Sequence, residues 1–164
     1  MNYGMIRAAA ASLRLKVADP TYNKEKIKEA IDCAEQKGTR LIVLPELCVT
    51  GYTCADLFFT KSLQNSAENA LKEIIKYTSG KNIVAAVGMP VPFYNSLYNC
   101  AVVIGNGRIY GIVPKIHLAN YNEFYEKRWF ASGSDFKSCQ NIDFCGFETT
   151  IGSQTVSYTH LTLP

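Results

Sequence analysis

The sequence predicts an α/β fold, on three observations. Leu41–Leu44 and Asn82–Gly88 are short apolar runs of the kind that fill strands buried on both faces. Two longer stretches, near residues 24–37 and 61–78, instead repeat their apolar residues every three or four positions, the period of a helix packed along one face. The two kinds of segment alternate, as they do when helices lie across a sheet. A length of 164 residues gives room for one domain with a sizeable core.

Ile6 to Leu13 reads as the first strand, rich in alanine where a neighbour packs closely. Asp19-Pro20 makes a turn, and Asn23 is placed to cap a helix that runs to about Lys37. Ile27, Ala30, Ile31 and Ala34 form its buried stripe, with Lys24, Lys26, Glu29 and Glu35 lying away from it. Gly38 ends the helix with a left-handed residue. Strand Thr39–Leu44 follows, and Pro45 stops it because proline has no N–H to give to a ladder. Thr60 caps a second helix over Lys61–Thr78, with Leu63, Ala67, Ala70, Leu71, Ile74 and Ile75 as its stripe and Gly80 as its end. After the strand Asn82–Gly88, the run Met89-Pro90-Val91-Pro92 reads as a break. Leu97–Ile104 and Arg108–Val113 read as strands of a hairpin that turns at Asn106-Gly107, since both residues tolerate positive φ. Gly105, Gly107 and Gly111 belong to that hairpin and not to a phosphate loop, because no helix follows them. From Phe136 to Thr150 only short strand-like pieces are legible.

Composition narrows the function classes. Apolar residues make up 48% of the chain and charged residues 19%, the balance of a soluble globular protein. A net charge of +3 is too small to imply a nucleic-acid partner or an anionic membrane surface. No apolar run approaches the ~18 residues of a membrane span. The N-terminus lacks a basic leader and a long apolar core, so no signal peptide is expected and a cytoplasmic location follows. The six cysteines form no C-x-x-C pair and suit a reducing compartment. The two histidines, His117 and His160, leave little for a metal site.

The candidate chemistry centres on Leu41–Phe59, LIVLPELCVTGYTCADLFF. Glu46 stands just beyond the carboxyl end of a strand, where α/β proteins place reacting groups. A glutamate in such a place is usually a solvated loop residue, and Lys115, just after the last hairpin strand, is by itself usually a surface lysine. Lys115 leads into an aromatic stretch, ANYNEFYEKRWFASG. Tyr121, Phe124, Tyr125, Trp129 and Phe130 would be costly to leave wet. They plug the core, or they wall a pocket for a small substrate, or both.

PELCVTGYTCADLF resembles the first catalytic motif of the nitrilase, or carbon–nitrogen hydrolase, superfamily, and IVPKIHLANYNEFYEKRWFASG resembles the second. The extensions GYTCADLFF and NEFYEKRWF are similar to the glutaminase domain of glutamine-dependent NAD synthetases. The resemblance covers Ile6 to about Ile151 and makes residues 1–155 the N-terminal part of such a domain. It implies an α-β-β-α sandwich, two stacked mixed sheets with helices outside, incomplete at its C-terminus and leaving apolar sheet surface and a strand edge open. It implies Glu46 as general base and Lys115 as the cation that faces an oxyanion and steadies Glu46. A cysteine thiolate would attack the side-chain amide of glutamine, the expected small-molecule partner. Tyr52, Tyr121 and Phe124 match positions near the family's glutamine pocket. The ammonia released would serve an ATP- and Mg2+-dependent ligase domain, in the same chain of a homo-oligomeric parent, that amidates nicotinic acid adenine dinucleotide to NAD. No cofactor is expected for the residues present.

The family's nucleophile lies on a third motif, a cysteine followed by an acidic residue, which the chain lacks. Cys139 precedes Gln140, Cys145 precedes Gly146, and both come too soon after Lys115. Glu148–Gly152 reads as the approach to that motif, so the chain itself is expected to be inactive. Val156–Pro164 has no periodicity linking it to what precedes and is similar to the translation of a transposase-type sequencing adaptor. The native frame is therefore expected to end near Thr155, the alternative being a C-terminal strand over Tyr158–Leu163. Two other readings stay open. One is a stand-alone amidase or carbamoyl-amine hydrolase of the same superfamily, which shares the glutamate and lysine but not the two extensions. The other is a non-enzymatic α/β binding module in which Glu46 and Lys115 are incidental.

Overall fold

The computed structural model describes residues 4–154, so the expectation for residues 156–164 lies outside the described residues. Its strands are β1 (Ala8–Ala10), β2 (Leu41–Val43), β3 (Val84–Phe93), β4 (Ser96–Gly105), β5 (Arg108–Pro114), β6 (Gln140–Phe144) and β7 (Phe147–Ile151). They form one mixed sheet in the order β1-β2-β3-β4-β5-β7-β6. β1, β2 and β3 are parallel, β4 reverses between β3 and β5, and β7 returns parallel to β5. Helices α1 (Pro20–Gln36) and α2 (Lys61–Tyr77) cover one face. Among the described residues no helix is long and apolar enough to cross a membrane.

Both helices dock by the stripes that the sequence marks. Ile27, Ile31 and Ala34 of α1 and Ala67, Ala70, Leu71, Ile74 and Ile75 of α2 share one core with Ile42, Ala85, Val87, Met89, Val102, Ile104 and Ile112 of the sheet. Leu63 leaves that stripe and joins a second cluster with Leu47, Cys54, Phe58, Leu97 and Phe130. Thr60 caps α2 as expected, its side chain accepting from the Leu63 amide. Asn23 does not cap α1. Asp19 does, accepting from the Tyr22 amide at 2.9 Å, and Pro20 begins the helix, where its missing N–H costs nothing. Asn23 is buried instead, and its amide binds the Lys16 backbone and the Val49 carbonyl, tying two loops together.

β3 runs straight through Met89-Pro90-Val91-Pro92, where a break is expected from the sequence. Parity explains it. The Val84 amide donates to the Arg40 carbonyl, and the Ala86 and Gly88 carbonyls accept from Leu44 and Val49. Residues 84, 86, 88, 90 and 92 therefore turn their backbone groups toward β2, whose pairing with β3 stops at Ala86. The prolines lack donors only where the ladder asks for none. A second departure is the hairpin of β6 and β7, turning at Cys145-Gly146 with φ of 58° and 82°.

The side chains alternate across the sheet. Away from the helices, β1 to β5 present Ala8, Ala10, Val43, Ala86, Ala101, Val103 and Val113, each exposed or half-buried. On β6 and β7 the same face carries Asn141, Asp143, Glu148 and Thr150. The apolar area thus ends at β5. The chain on its own is expected to bind an apolar-surface dye in its native state. Val43→Thr, at a position 47% exposed, should weaken that binding while changing stability by less than about 0.5 kcal/mol. A native chain that ignores the dye would show that the face is covered.

Candidate active site

Glu46 comes off the end of β2 on a tight turn. Leu47 beside it is fully buried with φ of 51°, a left-handed conformation that a bulky residue adopts at a cost of about 1–3 kcal/mol. The turn is fastened by the Cys48 amide on the Pro45 carbonyl (3.2 Å) and the Gly51 amide on the Leu47 carbonyl (2.7 Å). It lies directly on β3 at Gly88, where a Cβ would stand 2.5 Å from both the Leu47 nitrogen and the Pro45 oxygen. Only glycine leaves room for that approach.

Lys115 follows the last residue of β5 and is held from both sides. Its amide donates to the Asn99 carbonyl at 2.8 Å, and its carbonyl accepts from the Gly133 amide at 2.8 Å. Its Nζ donates to Glu46 Oε1 at 2.7 Å and to Glu126 Oε1 at 2.9 Å. Glu126 opens the short helix α3 (Glu126–Trp129) and is 1% exposed. It also accepts from the Tyr52 hydroxyl at 2.7 Å and from the Ala119 amide at 2.8 Å. The Asn99 side-chain amide donates to Glu46 Oε1. One ammonium thus sits between two glutamates, at the carboxyl ends of β2 and β5.

The surroundings fix the charges. Burial draws the Lys115 ammonium down, but the bonds to Glu46 and Glu126 outweigh it and hold its pKa above the ordinary 10.5. Burial pushes the Glu126 carboxyl up, yet Tyr52, Lys115 and the Ala119 amide together bring it below 4.5. Burial and then the bond to Glu126 drive the Tyr52 hydroxyl well above its usual value, so it stays a donor. Lys115 is a fixed cation, suited to face a developing negative charge.

Of the residues picked from the sequence, Glu46 and Lys115 touch. Tyr52 meets Phe124 edge to face with centroids 6.1 Å apart, and Tyr121 meets Phe124 at 5.6 Å, so the three rings form one row. The Tyr52 hydroxyl, however, is spent on Glu126. The core-plugging account of the aromatic stretch holds for Trp129 and Phe130, which pack on Phe58 in the second cluster, while Tyr121 and Tyr125 stay exposed. Glu126 lies within the NEFYEKRWF resemblance but is given no role by it, and Asn99 is not singled out, its only signal being a polar residue inside the apolar strand LYNCAVVI. The buried cysteines are poor nucleophiles. Burial pushes the Cys48 and Cys145 thiols up to about 12, with Cys48 donating to the Gly88 carbonyl and Cys145 lying against the Glu68 carbonyl of α2.

A surface clamp joins the two halves of the site. Asp56, on the 3-10 helix Ala55–Phe59, accepts from Arg128 Nε at 2.8 Å, Arg128 Nη2 at 2.7 Å and Trp129 Nε1 at 2.9 Å. These bonds, Arg128 first, hold the Asp56 carboxyl far below its ordinary 3.8. A depressed carboxylate contributes stability above its unfolded value and loses it as pH falls toward the folded one. The emission of Trp129, the single tryptophan, should therefore stay constant from neutral pH to below 3.8 and shift in Asp56→Ala. A shift centred at 3.8 would show that the clamp does not form.

A family model described as carbon-nitrogen hydrolase matches residues 7–156. The chain belongs to the carbon-nitrogen hydrolase family. This carbon-nitrogen hydrolase domain is 34% identical over 132 residues to the glutamine-dependent NAD(+) synthetase of Mycobacterium tuberculosis (strain ATCC 25618 / H37Rv), covering 80% of this chain and 19% of that protein. It is 38% identical over 130 residues to the same-named protein of Oryza sativa subsp. indica, covering 78% of this chain and 17% of that one. The crystal structure of a glutamine-dependent NAD(+) synthetase from Cytophaga hutchinsonii superposes with a TM-score of 0.83 at 30% identity, over 90% of this chain and 25% of that one. An amidase from Nesterenkonia sp. shares the fold, with a TM-score of 0.65 at 20% identity over 88% of this chain and 54% of that one. The mixed α/β sheet is thus that of the nitrilase superfamily. The chain spans about a fifth of the length of the curated relatives it matches.

Proposed function

We propose that this carbon-nitrogen hydrolase domain is the glutaminase part of a glutamine-dependent NAD synthetase. The Lys115 ammonium held between Glu46 and Glu126 carries the amide-hydrolysis half of the reading, and the synthetase-like extensions GYTCADLFF and NEFYEKRWF carry the glutaminase half. Similarity to synthetases over most of the chain supports it, whereas the stand-alone amidases offer likeness of fold.

In this reading the thiol comes from the segment after β7. Ile151 pairs in parallel with Ile112, and the Gly152 amide donates to the Ile112 carbonyl, so the chain leaves β7 at the same end of the sheet as Lys115. Glu46 takes the thiol proton as sulfur bonds to the amide carbon of glutamine. The carbonyl oxygen gains the negative charge, and Lys115 faces it. Glu46 returns the proton to the nitrogen, the carbon–nitrogen bond breaks, and ammonia leaves. Glu46 then activates a water molecule that releases glutamate from the thioester. Tyr121 and Phe124 wall the substrate's aliphatic stem. ATP and Mg2+ belong to the ligase step, in a separate domain of a cytoplasmic homo-oligomer. Among the described residues no group of three or more His, Cys, Asp or Glu is placed to hold a metal.

The reading makes the 164-residue chain inactive by itself. Sequencing the source DNA beyond codon 155 should reveal a cysteine followed by an acidic residue. The protein so encoded should release ammonia from glutamine, and Glu46→Ala should cut the rate by about 10²-fold or more. A frame that continues without that cysteine overturns the proposal, and glutamine hydrolysis by the 164-residue chain above that of its Glu46→Ala variant overturns the inactivity of the chain by itself.

A further inference from the structure

We infer that Asn99 is a positioning residue of this site: with Lys115 it engages a single oxygen of Glu46 and thereby leaves the other, Oε2, to receive the proton. The chemical half of the inference rests on the glutaminase reading; the juxtaposition rests on geometry. Asn99 sits within β4 and is 3% exposed. Its cross-strand neighbour is Pro90, and the alternation of β4 turns its side chain away from the helices. There its Nδ2 donates to Glu46 Oε1, the atom that also accepts from Lys115 Nζ. Among the described residues no hydrogen bond reaches Glu46 Oε2. The main-chain carbonyl of Asn99 accepts the Lys115 amide at 2.8 Å. One residue in the middle of a rigid strand therefore fixes the glutamate by its side chain and the lysine by its backbone.

The residue type suits the task. An amide nitrogen only donates, so it cannot turn its other atom to Glu46 without opposing two oxygens. It does not titrate, so the donor is present at every working pH. Aspartate has the same shape but would set a second carboxylate against Glu46. With Oε1 occupied by two donors, Oε2 keeps its lone pairs for the thiol proton.

Two measurements test this. In the 164-residue chain, the Asn99 side-chain amide should give a proton–nitrogen signal displaced from ordinary asparagine amides. Glu46→Ala should move it back while the backbone signals of β4 stay in place. Glu46 is partly exposed, so this variant does not threaten folding, and an unmoved side-chain signal overturns the inference. In the protein with its native continuation, Asn99→Ala should lower kcat for amide hydrolysis by about 10²-fold with KM changed less than about twofold. Asn99→Asp should lose at least as much. A loss confined to KM, or full activity in Asn99→Asp, overturns it. If the signal moves and the protein hydrolyses other amides but not glutamine, the glutaminase reading falls while the role of Asn99 stands.

Discussion

Gly88→Ala is expected to disable the site while leaving the sheet assembled. The added Cβ would meet main-chain atoms, Leu47 nitrogen and Pro45 oxygen at 2.5 Å and Glu46 carbon at 2.9 Å, and not the yielding end of a side chain. The turn must lift away from β3. It already holds Leu47 in a left-handed conformation, so it has no slack to share. Forced overpacking of this kind costs about 1–3 kcal/mol. The larger effect is on Glu46, which loses its register with Lys115 and Asn99. Displacement of a base by about 1 Å costs about 10²-fold in rate. The checks are a denaturant melt, which should move modestly, and ammonia release from glutamine by the protein with its native continuation, which should nearly vanish. Gly88→Ala with unchanged activity would show that the turn does not rest on β3.

Glu126→Ala is expected to be the most destabilising change in the site. It strips Lys115 of its buried partner and leaves the Ala119 amide and the Tyr52 hydroxyl without their acceptor. Breaking a pair of this kind from one side costs about 3 kcal/mol. Glu126→Gln keeps an acceptor and removes the charge, so it should cost less. The pH dependence follows from the signs. Glu126 has a folded pKa below 4.5, so its contribution is complete above that value and is lost as pH falls toward the folded one. Lys115 has a folded pKa above 10.5, so its contribution is complete below that value and is lost as pH rises through the folded one. Urea melts across pH should therefore show a plateau between these limits. Glu126→Gln should fall less steeply on the acid side. Equal acid slopes for the two proteins would remove Glu126 from the account.

The helices were legible because their period is a property of the chain alone: Ile27, Ile31 and Ala34, or Leu71, Ile74 and Ile75, face inward whatever lies beneath them. The turn at Asn106-Gly107 was legible for the same local reason, and both residues have positive φ. Pro90 and Pro92 misled because a proline's effect depends on which edge its nitrogen faces, and that is settled only by pairing with β2 and β4. The β6–β7 hairpin stayed hidden because Cys145 is not a residue that advertises a left-handed turn. In the site, Glu46 and Lys115 could be read from strand ends and motif context. Glu126 and Asn99 could not, since what sets them apart is tertiary burial, which brings the carboxylate of one and the amide of the other to the same lysine–glutamate pair.

The two prolines of β3 also govern how molecules of this chain can meet. Past Gly88, whose carbonyl accepts from the Val49 amide, no described strand pairs with β3 on its β2 side. A free strand margin normally recruits a foreign strand through alternating amides and carbonyls. At Pro90 and Pro92 this margin offers carbonyls without amides, so an incoming strand finds no rung to climb. Ribbon-like growth at that margin is thereby disfavoured.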